Sequence, residues 1–164
     1  MTLLEKWLAA VDKKNSVLCA GIDPPEAAMG HKNALPEGAD KLKWAEAYIQ
    51  AVAPYCAAIK PNVQFWKNPD GDLGNNFEDG MTSLRKISFL ARDLGLLVID
   101  DSKLADIGAT NDAGVFDAQT RPVDAVTYSP FPGNMDEFAK QCQTRGVGSI
   151  AMCLMSNPQY KVEK

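Results

Sequence analysis

Five short apolar runs, each followed by a polar loop and then a stretch of helical period, set the strongest limit on what this chain can fold into. The runs are Ser16–Ile22, Ala57–Val63, Leu96–Asp101, Val123–Tyr128 and Gly148–Leu154. Their hydrophobicity is continuous rather than alternating, as expected of strands covered on both faces. Strands separated by helical segments cannot pair as hairpins. They pair in parallel through crossover helices, which predicts an α/β sheet covered by helices.

The intervening segments support that order. Thr2 and Glu5 have capping-box spacing, and Leu4, Leu8 and Val11 follow at helical intervals, predicting an opening helix through about Lys14. Residues 40–54 carry Trp44, Tyr48, Ile49 and Val52 on one helical face. Residues 79–94 repeat the pattern with Met81, Leu84, Ile87, Leu90, Ala91 and Leu94, and Gly95 supplies a stop. A weaker helix is predicted over 109–120. Another spans Asn134–Thr144, with Met135, Phe138, Ala139 and Cys142 inward. Loops are predicted from Asp23-Pro24-Pro25 to about Glu37, over Asn68–Asn76, and at Ser156-Asn157-Pro158 after the fifth strand. Pro61 makes the end of the second run a strand terminus.

Two architectures satisfy this order: an open doubly wound sheet, or part of a (β/α)8 TIM-type barrel. No G-x-G-x-x-G follows the first strand, so the dinucleotide-binding open sheet loses its main support. Chemically loaded residues follow strand after strand: Asp23, Lys60, Asp101 to Asp106, and Ser156. Convergence from consecutive strands favours the barrel. The expectation is one partial-barrel domain over residues 1–164, holding about the first five β/α units.

Composition removes several function classes. The net charge of −4 and the absence of a Lys/Arg-rich run argue against nucleic-acid and anionic-membrane partners. The four cysteines, Cys19, Cys56, Cys142 and Cys153, lie far apart among apolar neighbours and read as reduced, buried thiols of a cytoplasmic protein. The single histidine, His31, reads as a solvated loop residue, which disfavours zinc and Ser-His-Asp chemistry. Glu5 and Lys6 interrupt the apolar N-terminus, and no run approaches the ~18 residues of a membrane span.

The third run raises the functional question, because it ends in Asp100-Asp101-Ser102-Lys103-Leu104-Ala105-Asp106-Ile107. In an extended strand Asp101 and Lys103 face the same way, and Asp100 faces the opposite way as a structural residue. Lys103 and Asp106 would meet if the chain turned helical there. Lys60, at the end of another strand, could converge on the same point to give an alternating Lys-Asp-Lys-Asp chain.

This stretch resembles the D-x-K-x-x-D-I signature of the orotidine 5'-phosphate decarboxylases. Gly21-Ile22-Asp23-Pro24, Ala58-Ile59-Lys60-Pro61-Asn62, Thr110 and Ser156-Asn157-Pro158 match the same family in order. The resemblance implies a (β/α)8 barrel that acts as a homodimer on a nucleotide substrate, without metal or organic cofactor. It implies that Lys103 protonates C6 of the pyrimidine, that Asp101 lies beside the departing carboxylate, and that Lys60 pairs with Asp101 and touches the ribose. Asp106, Ile107 and Thr110 would reach into the neighbouring subunit's site. Asp23 would hold a ribose hydroxyl and Ser156 would face the pyrimidine.

Such chemistry calls for these residue types. Decarboxylation leaves electron density on a carbon with no adjacent carbonyl sink, so the protein must supply a fixed positive charge and then a proton. A lysine does both, whereas an arginine holds its proton too tightly. Magnesium-dependent sugar-phosphate relatives, the 3-keto-L-gulonate 6-phosphate decarboxylases and hexulose-phosphate synthases, resemble the chain at D-x-K-x-x-D but carry glutamate where Lys60 stands. An inactive barrel fragment is the other alternative. Barrels of this kind run to about 250 residues, with phosphate loops after strands seven and eight. The C-terminal phosphate-binding units are therefore expected to be absent from these 164 residues. Three charge-assisted hydrogen bonds to phosphate, at ~1.5–3 kcal/mol each, correspond to roughly four to six decades in rate.

Overall fold

The computed structural model describes residues 1–67 and 77–154. The predicted loop Asn68–Asn76 and the Ser156-Asn157-Pro158 segment lie outside the described residues. Five strands, β1 (Cys19–Ile22), β2 (Ala58–Pro61), β3 (Leu97–Leu104), β4 (Ala125–Tyr128) and β5 (Gly148–Ala151), form one parallel sheet in the order β1-β2-β3-β4-β5. Strictly sequential order has no reversal point, which is the mark of a barrel segment and not of a doubly wound sheet.

The helices are α1 (Leu3–Lys14), α2 (Lys41–Val52), α3 (Phe77–Asp93), α4 (Gly108–Gln119) and α5 (Met135–Thr144). Strand alternation divides the buried residues between two faces. Ile22, Ile59 and Val98 meet Ile49 of α2, Leu84 and Ile87 of α3, and Trp66 on one face. Val126 and Tyr128 continue that face against Val115 of α4 and Phe138 of α5, with the Tyr128 and Phe138 rings stacked at 4.3 Å. On the inner face Ala58, Ile99 and Ala125 pack with Leu97, Ile150 and two α1 residues, Leu3 and Trp7.

Helix α1 therefore docks differently from the others. The Thr2/Glu5 capping box forms as predicted. However, Leu4 and Leu8 are exposed, and the docking residues are Leu3 and Trp7, one position earlier in the helical repeat. Two polar ties hold the helix. Lys6 Nζ reaches Asp124 Oδ1 at 2.9 Å, and Lys14 Nζ donates to the carbonyls of Ala53 and Leu94 at 2.9 and 3.0 Å, near the ends of α2 and α3. A cation suits a helix C-terminus because its last carbonyls are unpaired and carry partial negative charge.

Other boundaries differ from expectation for local reasons. β1 starts at Cys19, with Val17 and Leu18 exposed ahead of it. β5 ends at Ala151 rather than Leu154. In α2 the buried positions are Lys41, Ala45 and Ile49, while Trp44 stacks on Tyr48 near the surface. In α5 only Phe138 and Cys142 are buried, and Met135 and Ala139 are exposed. Cys56 and Cys142 are buried free thiols as predicted, but Cys19 and Cys153 are exposed. His31 is an exposed loop residue. Gly95 ends α3 with φ +74, a left-handed turn that glycine makes without a Cβ clash.

Candidate active site

The site begins with the irregularity in β3. Ile99 and Asp100 pair with Ala125 and Val126, but the next pairing joins Leu104 to Tyr128, so β3 covers four steps while β4 covers two. Lys103 lies inside this bulge with φ +50, an uncommon conformation for a residue with a Cβ. The chain does not turn helical after Asp101, as the i, i+3 expectation for Lys103 and Asp106 required. It stays in strand β3 to Leu104, with the left-handed step at Lys103 inside it.

Below the bulge, alternation is regular and sets the charges. Ile99 faces inward, so Asp100 faces the helices and Asp101 faces inward. Asp100 is buried against Arg121, whose guanidinium also reaches Asp117 at 2.7 Å. Burial pushes the Asp100 carboxyl up, and the Arg121 charge opposes that shift. Asp100 is thus a structural ion-pair partner on the helix side, as its position in the strand predicts.

Asp101 is the centre of the inner face. Its side chain is 7% exposed, and its Oδ2 lies 2.6 Å from Lys60 Nζ and 2.8 Å from Lys103 Nζ. Its Oδ1 accepts from Thr127 Oγ1 at 2.9 Å. Burial alone would raise this carboxyl. The hydrogen bonds from Lys103, Lys60 and Thr127 outweigh that and hold it below the ordinary aspartate value of 3.8. Three strands thus place three donors on one carboxylate: β2 through Lys60, β3 through Lys103 and β4 through Thr127. Both lysine side chains remain 36% exposed at the carboxyl end of the sheet, where ligands bind in parallel α/β folds. Two ammonium groups share one carboxylate, so the cluster keeps an excess positive charge suited to an anionic ligand.

The remaining predicted residues are arranged differently. Asp106 is exposed at the head of α4, where its carboxylate accepts from the Ile107 amide at 2.7 Å. Asn111 clasps its backbone, accepting from Asp106 N at 3.1 Å and donating to Asp106 O at 2.7 Å. Among the described residues no ion pair joins Asp106 to Lys103. Ile107 is the N-cap of α4 and is 69% exposed, and Thr110 is exposed one turn on. Asp23 is exposed just past the end of β1. Ser156 lies outside the described residues. Among the described residues, no three His, Cys, Asp or Glu side chains converge as a metal site.

Thr127 is the participant that sequence reasoning missed. Its only signal is its place two residues after Ala125, which puts it on the inner face of β4. A threonine in a strand is otherwise unremarkable, because β-branched residues suit strands for packing reasons.

Residues 16–162 match the sequence profile described as the orotidine 5'-phosphate decarboxylase / HUMPS family. The chain is 33% identical over 169 aligned positions to an orotidine 5'-phosphate decarboxylase of Corynebacterium glutamicum, covering 98% of this chain and 57% of that protein. Against the protein of the same name from a Nocardioides species it is 31% identical over 149 positions, covering 87% and 52%. The structure of Leishmania donovani OMP decarboxylase superposes with a TM-score of 0.72 at 22% identity, over 96% of this chain and 56% of that one. The chain therefore spans about half the length of the curated relatives it matches, and its sheet consists of five consecutive β/α units of a TIM-type barrel.

Proposed function

The chain belongs to the orotidine 5'-phosphate decarboxylase / HUMPS family, and from that membership we propose that it serves metal-independent decarboxylation of orotidine 5'-monophosphate to uridine 5'-monophosphate in pyrimidine biosynthesis. The observation that carries this reading is Lys60 Nζ at 2.6 Å from Asp101 Oδ2. A cation at that point competes with any divalent ion for the carboxylate, so the magnesium-dependent sugar-phosphate chemistry of related enzymes is disfavoured.

In the proposed reaction the substrate carboxylate lies beside Asp101 and C6 of the pyrimidine faces Lys103. The C6–carboxyl bond breaks, its electron pair stays on C6, and carbon dioxide leaves as a neutral molecule. The Lys103 ammonium first stabilises that pair and then transfers its proton to C6, becoming a neutral amine that solvent reprotonates. A unit charge ~3 Å away at an effective dielectric of 20 contributes roughly 5 kcal/mol, about four decades in rate. Asp101, held ionised by its three donors, adds repulsion toward the substrate carboxylate. At ~3.5 Å this is again roughly 5 kcal/mol, and it is relieved as carbon dioxide departs. Lys60 keeps Asp101 paired while Lys103 gives up its proton.

Asp23 and Ser156 are proposed to contact ribose and pyrimidine. Asp106, Ile107 and Thr110 are proposed to complete the site of a second subunit in a homodimer. The exposure of Ile107, 69% at the N-cap of α4, leaves an apolar side chain free to pack against a second subunit. A cytoplasmic location fits four thiols of which none is paired. Among the described residues no helix is long and apolar enough to cross a membrane.

Release of labelled carbon dioxide from carboxyl-labelled orotidine 5'-monophosphate tests the proposal, because it reads even very slow turnover. The expected result is release that EDTA does not change and that Lys103→Ala reduces to background, with the circular dichroism spectrum unaltered. Release by Lys103→Ala at the unmodified rate, or release abolished by EDTA, refutes it.

A further inference from the structure

The hydroxyl of Thr127 is bonded in both of its capacities. It donates to Asp101 Oδ1 at 2.9 Å and accepts from the Lys103 backbone amide at 3.0 Å. One oxygen on β4 thus touches the carboxylate at the centre of the cluster and the backbone of the residue that carries the ammonium. The two ends it joins are the unusual ones. Lys103 adopts φ +50 inside the β3 bulge, where its amide cannot enter the regular ladder with β4. Asp101 has both lysines on a single oxygen, Oδ2.

We propose that Thr127 is a positioning residue. Its hydroxyl ties down Asp101 Oδ1 and the Lys103 amide together, which turns the carboxylate so that both ammonium groups meet at Oδ2 and stabilises the left-handed backbone that presents Lys103. The assignment rests on the roles proposed for Asp101 and Lys103 above. Packing alone does not account for the residue. Its inner-face neighbour Ala125 is apolar, and valine is nearly isosteric with threonine and equally suited to a strand. A hydroxyl at a position only 6% exposed is unfavourable unless it is hydrogen-bonded, and here both bonds go to the cluster. Among the described residues, the charged and titratable groups facing Asp101 are Lys60 from β2, Lys103 from its own strand and, on β1, the Cys19 thiol, which is close enough to feel both Lys60 and Asp101.

Two readouts on the 17.8 kDa chain test Thr127 without any need for turnover. One is the Asp101 carboxyl titration by carbon-13 NMR, and the other is hydrogen exchange at the Lys103 amide. Thr127→Val should raise the Asp101 titration midpoint, because a bond to the carboxylate is lost, and should speed Lys103 exchange by up to about tenfold, the size expected for losing one hydrogen bond between uncharged groups. Thr127→Ser should restore both. With substrate, Thr127→Val should lower kcat by about ten- to a hundredfold with KM little changed, and Thr127→Ser should recover it. If Thr127→Val does not fold, Thr127→Ala serves as the hydroxyl-free variant. Unchanged titration and exchange in the hydroxyl-free variant would overturn the assignment, as would a Thr127→Ser as perturbed as Thr127→Val. Should the unsubstituted chain release no carbon dioxide, the proposed function fails, while titration and exchange still decide the role of Thr127.

Discussion

The Asp101 cluster predicts a specific failure of additivity. Lys60 and Lys103 donate to the same oxygen at 2.6 and 2.8 Å, so either alone can neutralise the carboxylate once the other is gone. The gross attraction of each pair at an effective dielectric of 20 is roughly 6 kcal/mol. Each lysine is 36% exposed, so solvent screening and lost hydration cancel most of that, and Lys60→Met or Lys103→Met alone should cost about 1 kcal/mol. In the double variant only Thr127 remains among the described residues, and a 7% exposed carboxylate is left with no cation from them. Removing the cations from a buried charge costs about 3–5 kcal/mol, against about 2 kcal/mol for the two single losses added together. Urea unfolding of the four chains gives the cycle directly, with an expected excess of at least about 1 kcal/mol, beyond the ~0.5 kcal/mol scatter of independent sites. Asp101→Asn placed in the double variant should recover much of the loss, because it removes the stranded charge. A double variant within about 0.5 kcal/mol of the summed singles would refute the shared-carboxylate geometry.

Asp101 titrates below its ordinary value of 3.8 in the folded state, so its contribution is complete above 3.8 and disappears as pH falls through the lower folded value. The difference in melting temperature between the unsubstituted chain and Asp101→Asn should therefore shrink below pH 3.8, and a difference that persists contradicts the depressed titration. Arg121→Met strands Asp100, which is 2% exposed, and should cost about 3–5 kcal/mol in urea unfolding, with partial recovery in Asp100→Asn/Arg121→Met. By contrast, Arg145→Met breaks a two-bond contact to Asp112 at 2.9 and 2.6 Å that solvent screens, and should leave the urea midpoint almost unchanged.

The elements most legible in the sequence were those set by local chemistry. The Thr2/Glu5 capping box, the Gly95 stop and the Leu84, Ile87 and Ala91 stripe of α3 all act within a few residues. What escaped depends on distant partners. Helix α1 offers two overlapping apolar stripes, Leu4/Leu8/Val11 and Leu3/Trp7, and the inner face of the sheet selects the second. Asp101 and Lys103 were legible because period-two alternation puts both on one face. The separation of Lys103 from Asp106 was not, since it depends on a bulge whose cause, the fit of β3 to β4, has no local signal. Thr127 was invisible because its partners lie 24 and 26 residues earlier in the chain.

Those separations make strand order and site chemistry one constraint. Asp101 receives a donor from each flanking strand, Lys60 on β2 and Thr127 on β4. Only an order in which β2 and β4 both border β3 can supply them. Register matters equally, because a one-residue slip of β4 would turn Thr127 toward the helices and put Val126 or Tyr128 against the carboxylate. The bulge reconciles that register with the placement of Lys103. Pairing stays regular through Asp100 and Val126, which keeps Asp101 opposite its donors, and the extra length appears only beyond it. In an unbroken strand Lys103 would stand about 6.6 Å further along, with its side chain roughly parallel to that of Asp101. The left-handed backbone at Lys103 redirects the side chain, and its ammonium lies 2.8 Å from Asp101 Oδ2. The strain at one residue is thus the local cost of placing an acid and a base from the same strand on a single point.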